Sequence, residues 1–194
     1  IALMTFASTI LYFAQSDLVY SAMTDRGERT AFLAKIDLTV NILTIVFEVY
    51  LTARLIRWLG VGLTLAVIPA AVAVGFLALG VYPTLATLVV VQIIYRAGRY
   101  GMTKPAREIL FTVVSREEKY KSKAFIDAAV YRGGDLVSGW IYAGLAFVGL
   151  SLGTIAMLAA PVAAMWAILG IRVAAKGDVK AAEMESEKVT MPVA

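Results

Sequence analysis

The chain contains no cysteine and no histidine. Without cysteine there is neither a disulfide framework nor a thiolate metal site. Without histidine the commonest metal ligand is missing, and so is the only side chain whose ordinary titration falls between pH 5 and 8. A Ser-His-Asp or Cys-His enzyme is thereby excluded. No other nucleophile–base pair or metal cluster stands out, so the sequence reads as a non-enzyme that uses no cofactor. Charge is scarce too: 16% of the 194 residues are Asp, Glu, Lys or Arg, against about 25% in soluble domains.

What fills the chain instead is apolar. Hydrophobic residues make up 60% of it, with a mean hydropathy of +0.80. One soluble core of this length cannot hide that much apolar surface, so the sequence predicts an integral membrane protein with the lipid bilayer as its solvent. The net charge is +4. In a soluble chain a basic balance points to nucleic acid. Here it points to Lys and Arg gathered on one membrane face, and no nucleic-acid partner is expected. The opening IALMTFASTILYFA has no basic flank and starts at Ile1. It does not read as a signal peptide, and the chain is expected to begin inside a longer protein.

A transmembrane helix needs about 20 residues to cross a core about 30 Å thick. Six stretches qualify, at roughly residues 1–22, 31–56, 61–80, 84–100, 122–148 and 153–173. The expectation is an all-α, six-helix transmembrane domain over 1–174. Residues 101–121 form a connection, and 175–194 a polar tail that frays into solvent. One face receives Arg54, Arg57, Arg99 and Lys104 to Lys123 with their basic neighbours, then Arg172, Lys176, Lys180 and Lys188; the other receives Arg26 and Arg29. That asymmetry predicts the basic face, and both ends of the chain, in the cytoplasm.

Within the connection, Pro105 suits the first turn of a helix. Ile109, Leu110, Val113 and Val114 follow at helical spacing. They predict a short amphipathic helix along the inner membrane surface; a plain linker between two spans is the other reading.

A charge at bilayer depth costs at least about 2.5–3.5 kcal/mol, so one that is kept faces a cavity or a partner. The second span sets Asp37, Asn41, Thr44 and Glu48 on one helical stripe, with Lys35 near its start. The fourth carries Gln92, Arg96 and Arg99, although both arginines can also snorkel to headgroups. The fifth carries Asp127, Tyr131, Asp135 and Ser138, with Arg132 beside them and Gly133 and Gly134 allowing a kink or a close backbone approach. The first adds Tyr12, Gln15, Ser16 and Asp17. Spans one, two, four and five are therefore expected to wall a polar cavity, with spans three and six as outer supports. A purely structural polar network would draw on the same residues. Arg132 and Asp135, three apart on one helix, are expected to pair as a gate or brace unless Arg132 binds a phosphate.

Six spans with both ends inside resemble one half of a major facilitator superfamily transporter. LTARLIRWLGVGLTL, Leu51 to Leu65, is similar to a degenerate form of that superfamily's basic loop, although it lacks the usual Asp. KPAREILFTVVSREEKYKSKAFIDAAVYRGGD, Lys104 to Asp135, resembles the ATP/ADP translocase family and its bacterial relatives. The matching positions are Pro105, Arg107, Glu108, Lys123, Ala124, Ile126 and Asp127. The chain departs from the family at Asp135, near the glycines, where a phosphate-binding lysine is usual. The resemblance implies a C-terminal half that works against an N-terminal half by alternating access, in a bacterial inner membrane. It implies a small-molecule substrate, a nucleotide or another anionic solute. Lys35, Arg96, Arg99 and Arg132 would meet the anion, with Asp17, Asp37, Glu48, Asp127 and Asp135 as counter-ions, gates or proton carriers. A transporter of another solute coupled to protons and a non-transporting interaction protein are the competing readings. Nucleotide transport would need both Arg96 and Arg132 in the cavity.

Overall fold

The computed structural model describes residues 1–110 and 116–190; Val113 and Val114 of the expected amphipathic stripe lie outside the described residues. Among the described residues there are helices and short turns and no strand.

Helix α1 is Ala2–Ala22. Helix α2, Arg26–Val46, opens on Asp25, whose side chain accepts from the Glu28 backbone N–H at 2.8 Å. That cap, with Glu28 in the first turn, satisfies orphan amides and suits the helix dipole. The helix therefore starts at 26 rather than at the expected 31.

A π-helical turn, Phe47–Leu51, leads on into α3, Thr52–Val81. The backbone breaks inside α3 at Gly60, with φ 75° and ψ 173°, a conformation that L side chains avoid. The chain reverses there. Asp37 meets Arg96, and Thr44 lies against Gly101, so α2 runs along the fourth helix in the same direction. Ile68 abuts Gly98 and Gly75 abuts Val91, so α3 beyond Gly60 runs back against it.

Helix α4, Leu85–Gly98, passes through a second π-helical turn, Arg99–Thr103, into α5, Lys104–Leu110. The expected end near residue 100 is thus a continuation. Pro105 has no N–H to offer the carbonyl four residues back. That carbonyl, Gly101 O, accepts instead from Thr52 Oγ1 at 2.5 Å, so the irregular turn leaves no orphan there. Helix α6, Arg116–Phe125, continues through a third π-helical turn, Ile126–Val130, into α7, Tyr131–Phe147. It starts at 116 rather than 122. Helix α8, Leu152–Thr190, is one helix past residue 175, where a frayed tail was expected. The Ala, Lys, Glu and Met of that stretch are strong helix formers.

Among the described residues, three helical stretches are long and apolar enough to cross a membrane: Ala2–Ala22, Arg26–Val81 and Leu152–Lys176. The chain is all-helical and membrane-compatible on that ground. In lipid the hydrophobic effect does not drive helices together; close packing of small residues does. Helices α3 and α8, the most extensive pair, follow this rule. A Cβ on Gly153 would lie 2.8 Å from Gly80 O, and Ala156, Ala159, Ala160 and Ala163 are buried nearby. Phe76, Leu79, Leu88 and Ile155 complete the core with Ile10, Leu11 and Ala14 of α1. Helix α4 packs against α2 and α1, and α1 against α7. The four helices that carry polar stripes are thereby arranged in an arc backed by α3 and α8.

Candidate functional site

The polar residues of the arc meet between α1 and α4. A cavity of about 320 Å³ opens there, lined by Ser8, Leu11, Tyr12, Gln15, Gln92, Tyr95, Arg96, Arg99 and Tyr100. Ser8, Tyr12 and Gln15 are spaced four and three apart on α1, and Gln92, Arg96 and Arg99 repeat that spacing on α4, so each helix turns one stripe inward. Gln92, buried, donates its amide to Gln15 Oε1 and ties the two helices across the cavity.

Arg96 does not snorkel outward. Its Nη1 pairs with Asp37 Oδ1 at 2.6 Å, joining α4 to α2. Arg99, half-buried, has no such counter-ion. Its guanidinium lies 3.4 Å from the hydroxyls of both Tyr95 and Tyr131. It also sits over the rings of Tyr100 and Tyr131, at 5.4 and 5.5 Å from the centroids, within cation–π range. Tyr95 in turn donates its hydroxyl proton to Met4 O at 3.0 Å. Among the described residues no carboxylate pairs with Arg99.

Other expected site residues are placed differently. Asp17 accepts from the Tyr142 hydroxyl at 2.7 Å, linking α1 to α7, and the Tyr142 ring stacks on Phe13. Asp135 lines a separate cavity of about 340 Å³ with Ser8, Thr9, Tyr12, Phe13 and Gly139. Arg132 is exposed, does not pair with Asp135 and lines neither cavity. The expected gate or brace between them is absent: Asp135 lines the cavity against α1, whereas Arg132 is exposed and is no part of its lining. Lys35, Asn41 and Glu48 are exposed, and their side chains meet no polar partner among the described residues. Glu48 lies inside the Phe47–Leu51 π turn. Asp127 falls in the third π turn, and its side chain is outside the described residues.

The glycines of α7 separate into two roles. A Cβ on Gly134 would run into Thr5 Oγ1 of α1, whereas Gly133 faces open space. The close backbone approach expected from this pair is therefore made by Gly134 alone.

Sequence reasoning missed Tyr95, Ser8 and Tyr142. Tyr95 was legible as a residue four before Arg99, and Ser8 as the start of the Tyr12–Gln15 stripe. Tyr142 extends the Tyr131–Asp135–Ser138 stripe by one turn.

A second polar cavity, about 360 Å³, lies at the basic end of the bundle, around Arg99, Tyr100, Thr103, Lys104, Arg107, Glu108, Lys123, Ile126 and Tyr131. Lys123 Nζ pairs with Glu108 Oε2 at 2.6 Å, bridging α6 and α5. The hydrogen bond from Lys123 holds the Glu108 carboxyl below its usual range, and the charges of Lys123, Arg107 and Lys119 act the same way.

Compared with known proteins, the chain matches no family model, no curated protein and no solved structure.

Proposed function

We propose that this chain is one six-span half of a secondary transporter of the major facilitator type. Its two ends would lie in the cytoplasm, and it would bind an anionic solute between itself and an N-terminal half. The observation that carries the reading is Arg99. A half-buried guanidinium held by tyrosines, with no carboxylate beside it among the described residues, is a cation whose counter-ion is left to come from outside. Keeping such a charge half-buried without a counter-ion is costly unless it is used. The cavity on which it stands has the polar lining that a solute path needs. A non-transporting interaction protein would be served by a dry polar core in its place.

The resemblance to ATP:ADP antiporters makes a nucleotide the first substrate to try. One observation favours the second reading, a non-nucleotide solute with proton coupling. Arg132 lines neither cavity of the arc, while Asp135 lines one of them. Without histidine, protons would have to travel on such carboxylates.

Uptake into proteoliposomes by the intact protein is the test. Labelled ATP, ADP and small organic anions are compared for wild type, Arg99→Gln and Arg132→Ala. The expected result is uptake of an anion that Arg99→Gln abolishes. Uptake that survives Arg99→Gln unchanged overturns the role of Arg99, and no uptake of any anion by wild type overturns transport. ATP uptake lost in Arg132→Ala would restore the nucleotide reading over the second.

A further inference from the structure

We infer that the cavity at the basic end is a phosphate-binding site in its own right, which shares Arg99 and Tyr100 with the α1–α4 cavity but does not require that the chain move a solute. Three observations lead there. Its described lining sets four cations, Arg99, Lys104, Arg107 and Lys123, against a single carboxylate, Glu108. Only Lys123 and Glu108 of these form an ion pair, and no described carboxylate pairs with the other three.

Two polar atoms of its wall are buried without a hydrogen-bond partner, Thr103 Oγ1 and Arg107 Nε. An N–H of arginine can only donate, and a hydroxyl can donate as well. A ligand oxygen reaches them only if the wall shifts to expose them, and by accepting from either it would satisfy an atom that is otherwise costly to bury. Two π-helical turns, Arg99–Thr103 and Ile126–Val130, contribute to the cavity wall. Such turns swing side chains off the regular helical register and recur at binding sites.

The fit is to a compact dianion or polyanion with tetrahedral oxygens. Arg107 offers a planar fork suited to two phosphate oxygens, and Lys104 and Arg99 add charge. Glu108 opposes the ligand and also competes for Lys123. Binding should therefore loosen the Glu108–Lys123 tie between α5 and α6. A free phosphate compound and a phospholipid headgroup share this chemistry.

Thermal unfolding of the intact protein in nanodiscs separates the two. In discs of phosphatidylcholine alone, inorganic pyrophosphate is titrated; in a second set, phosphatidylglycerol is added without pyrophosphate. Wild type should be stabilised in at least one arm, and that arm identifies the source. Arg107→Gln should weaken the apparent affinity about tenfold or more, the loss of one charge-assisted contact. Glu108→Gln should move it the other way, tightening binding, which no general loss of folding can imitate. Lys104→Gln serves as the second basic variant if Arg107→Gln does not fold. No stabilisation of wild type in either arm overturns the site, as does equal response of wild type and the basic variants, or weaker binding in Glu108→Gln. Stabilisation by pyrophosphate in a protein that moves no solute would leave this site standing and the transport reading fallen.

Discussion

Arg96 of α4 and Asp37 of α2 form an ion pair 2.6 Å long between helices that otherwise meet mainly through apolar contacts. Its partners are 33% and 55% exposed, so water or headgroups screen it, and such pairs contribute only about 0.2–1 kcal/mol. Its value lies in orientation: it draws Arg96 to the α2 side of the cavity and leaves Arg99 as the guanidinium without a carboxylate. A double-mutant cycle of Arg96→Gln and Asp37→Asn should give a coupling of about that size in unfolding. Exchanging the two charges, Asp37→Arg with Arg96→Asp, should recover stability relative to either single change. A coupling near zero would mean that the pair does not hold α2 in place.

Thr52→Val should destabilise the helix pair where the first two π turns meet. The valine removes the donor to Gly101 O, the carbonyl that Pro105 cannot serve, and Thr52 is 4% exposed. A buried carbonyl left without a partner costs about 1–3 kcal/mol. Chemical denaturation in detergent measures it. Pro105→Ala in the Thr52→Val background should restore part of the loss, because residue 105 then has an N–H to give.

The two adjacent glycines of α7 should respond oppositely to the same substitution. Gly134→Ala pushes a methyl into Thr5 Oγ1 and should cost about 1–3 kcal/mol. Gly133→Ala meets nothing within 4 Å; it should be neutral or stabilise by up to about 1 kcal/mol through the helix propensity of alanine. Comparable destabilisation by both would contradict the packing of α7 on α1.

The Glu108–Lys123 tie should depend on pH in one direction. The carboxyl is held below its ordinary value of 4.5, chiefly by the hydrogen bond from Lys123. A carboxyl so depressed adds stability that is complete above its unfolded-state value and is lost as the pH falls through the folded one. In phosphate-free buffer, wild type should unfold at a higher temperature than Glu108→Gln at pH 7. The gap should narrow once the pH drops below about 4.5 and close in stronger acid. A gap that is the same at pH 7 and pH 3 would argue that the carboxylate charge contributes nothing.

The sequence by itself determined what depends on composition and on neighbours along the chain. The all-helical, membrane-compatible character follows from the apolar excess and from runs longer than about 20 residues. The break near Gly60 was legible because glycine readily adopts positive φ. The polar stripes of α1, α2, α4 and α7 were legible because a helix repeats its face every three or four residues.

Which stripe residues meet one another was decided only in three dimensions. The three π turns among the described residues shift the register of α2, of the helix continuing from α4 and of the helix leading into α7, and no periodicity over 18 residues registers one extra residue in a turn. Arg99 stands at the start of the second π turn, within reach of Tyr95 one turn back on α4 and of Tyr131 on α7. The pairing of Arg96 with Asp37, and the failure of Arg132 to pair with Asp135, depend on how α4 packs on α2 and α7 on α1. Packing of that kind is set by small residues at a few contact points, Gly101 against Thr44 and Phe47, Gly134 against Thr5. A glycine announces that a neighbour can come close; it does not say which neighbour.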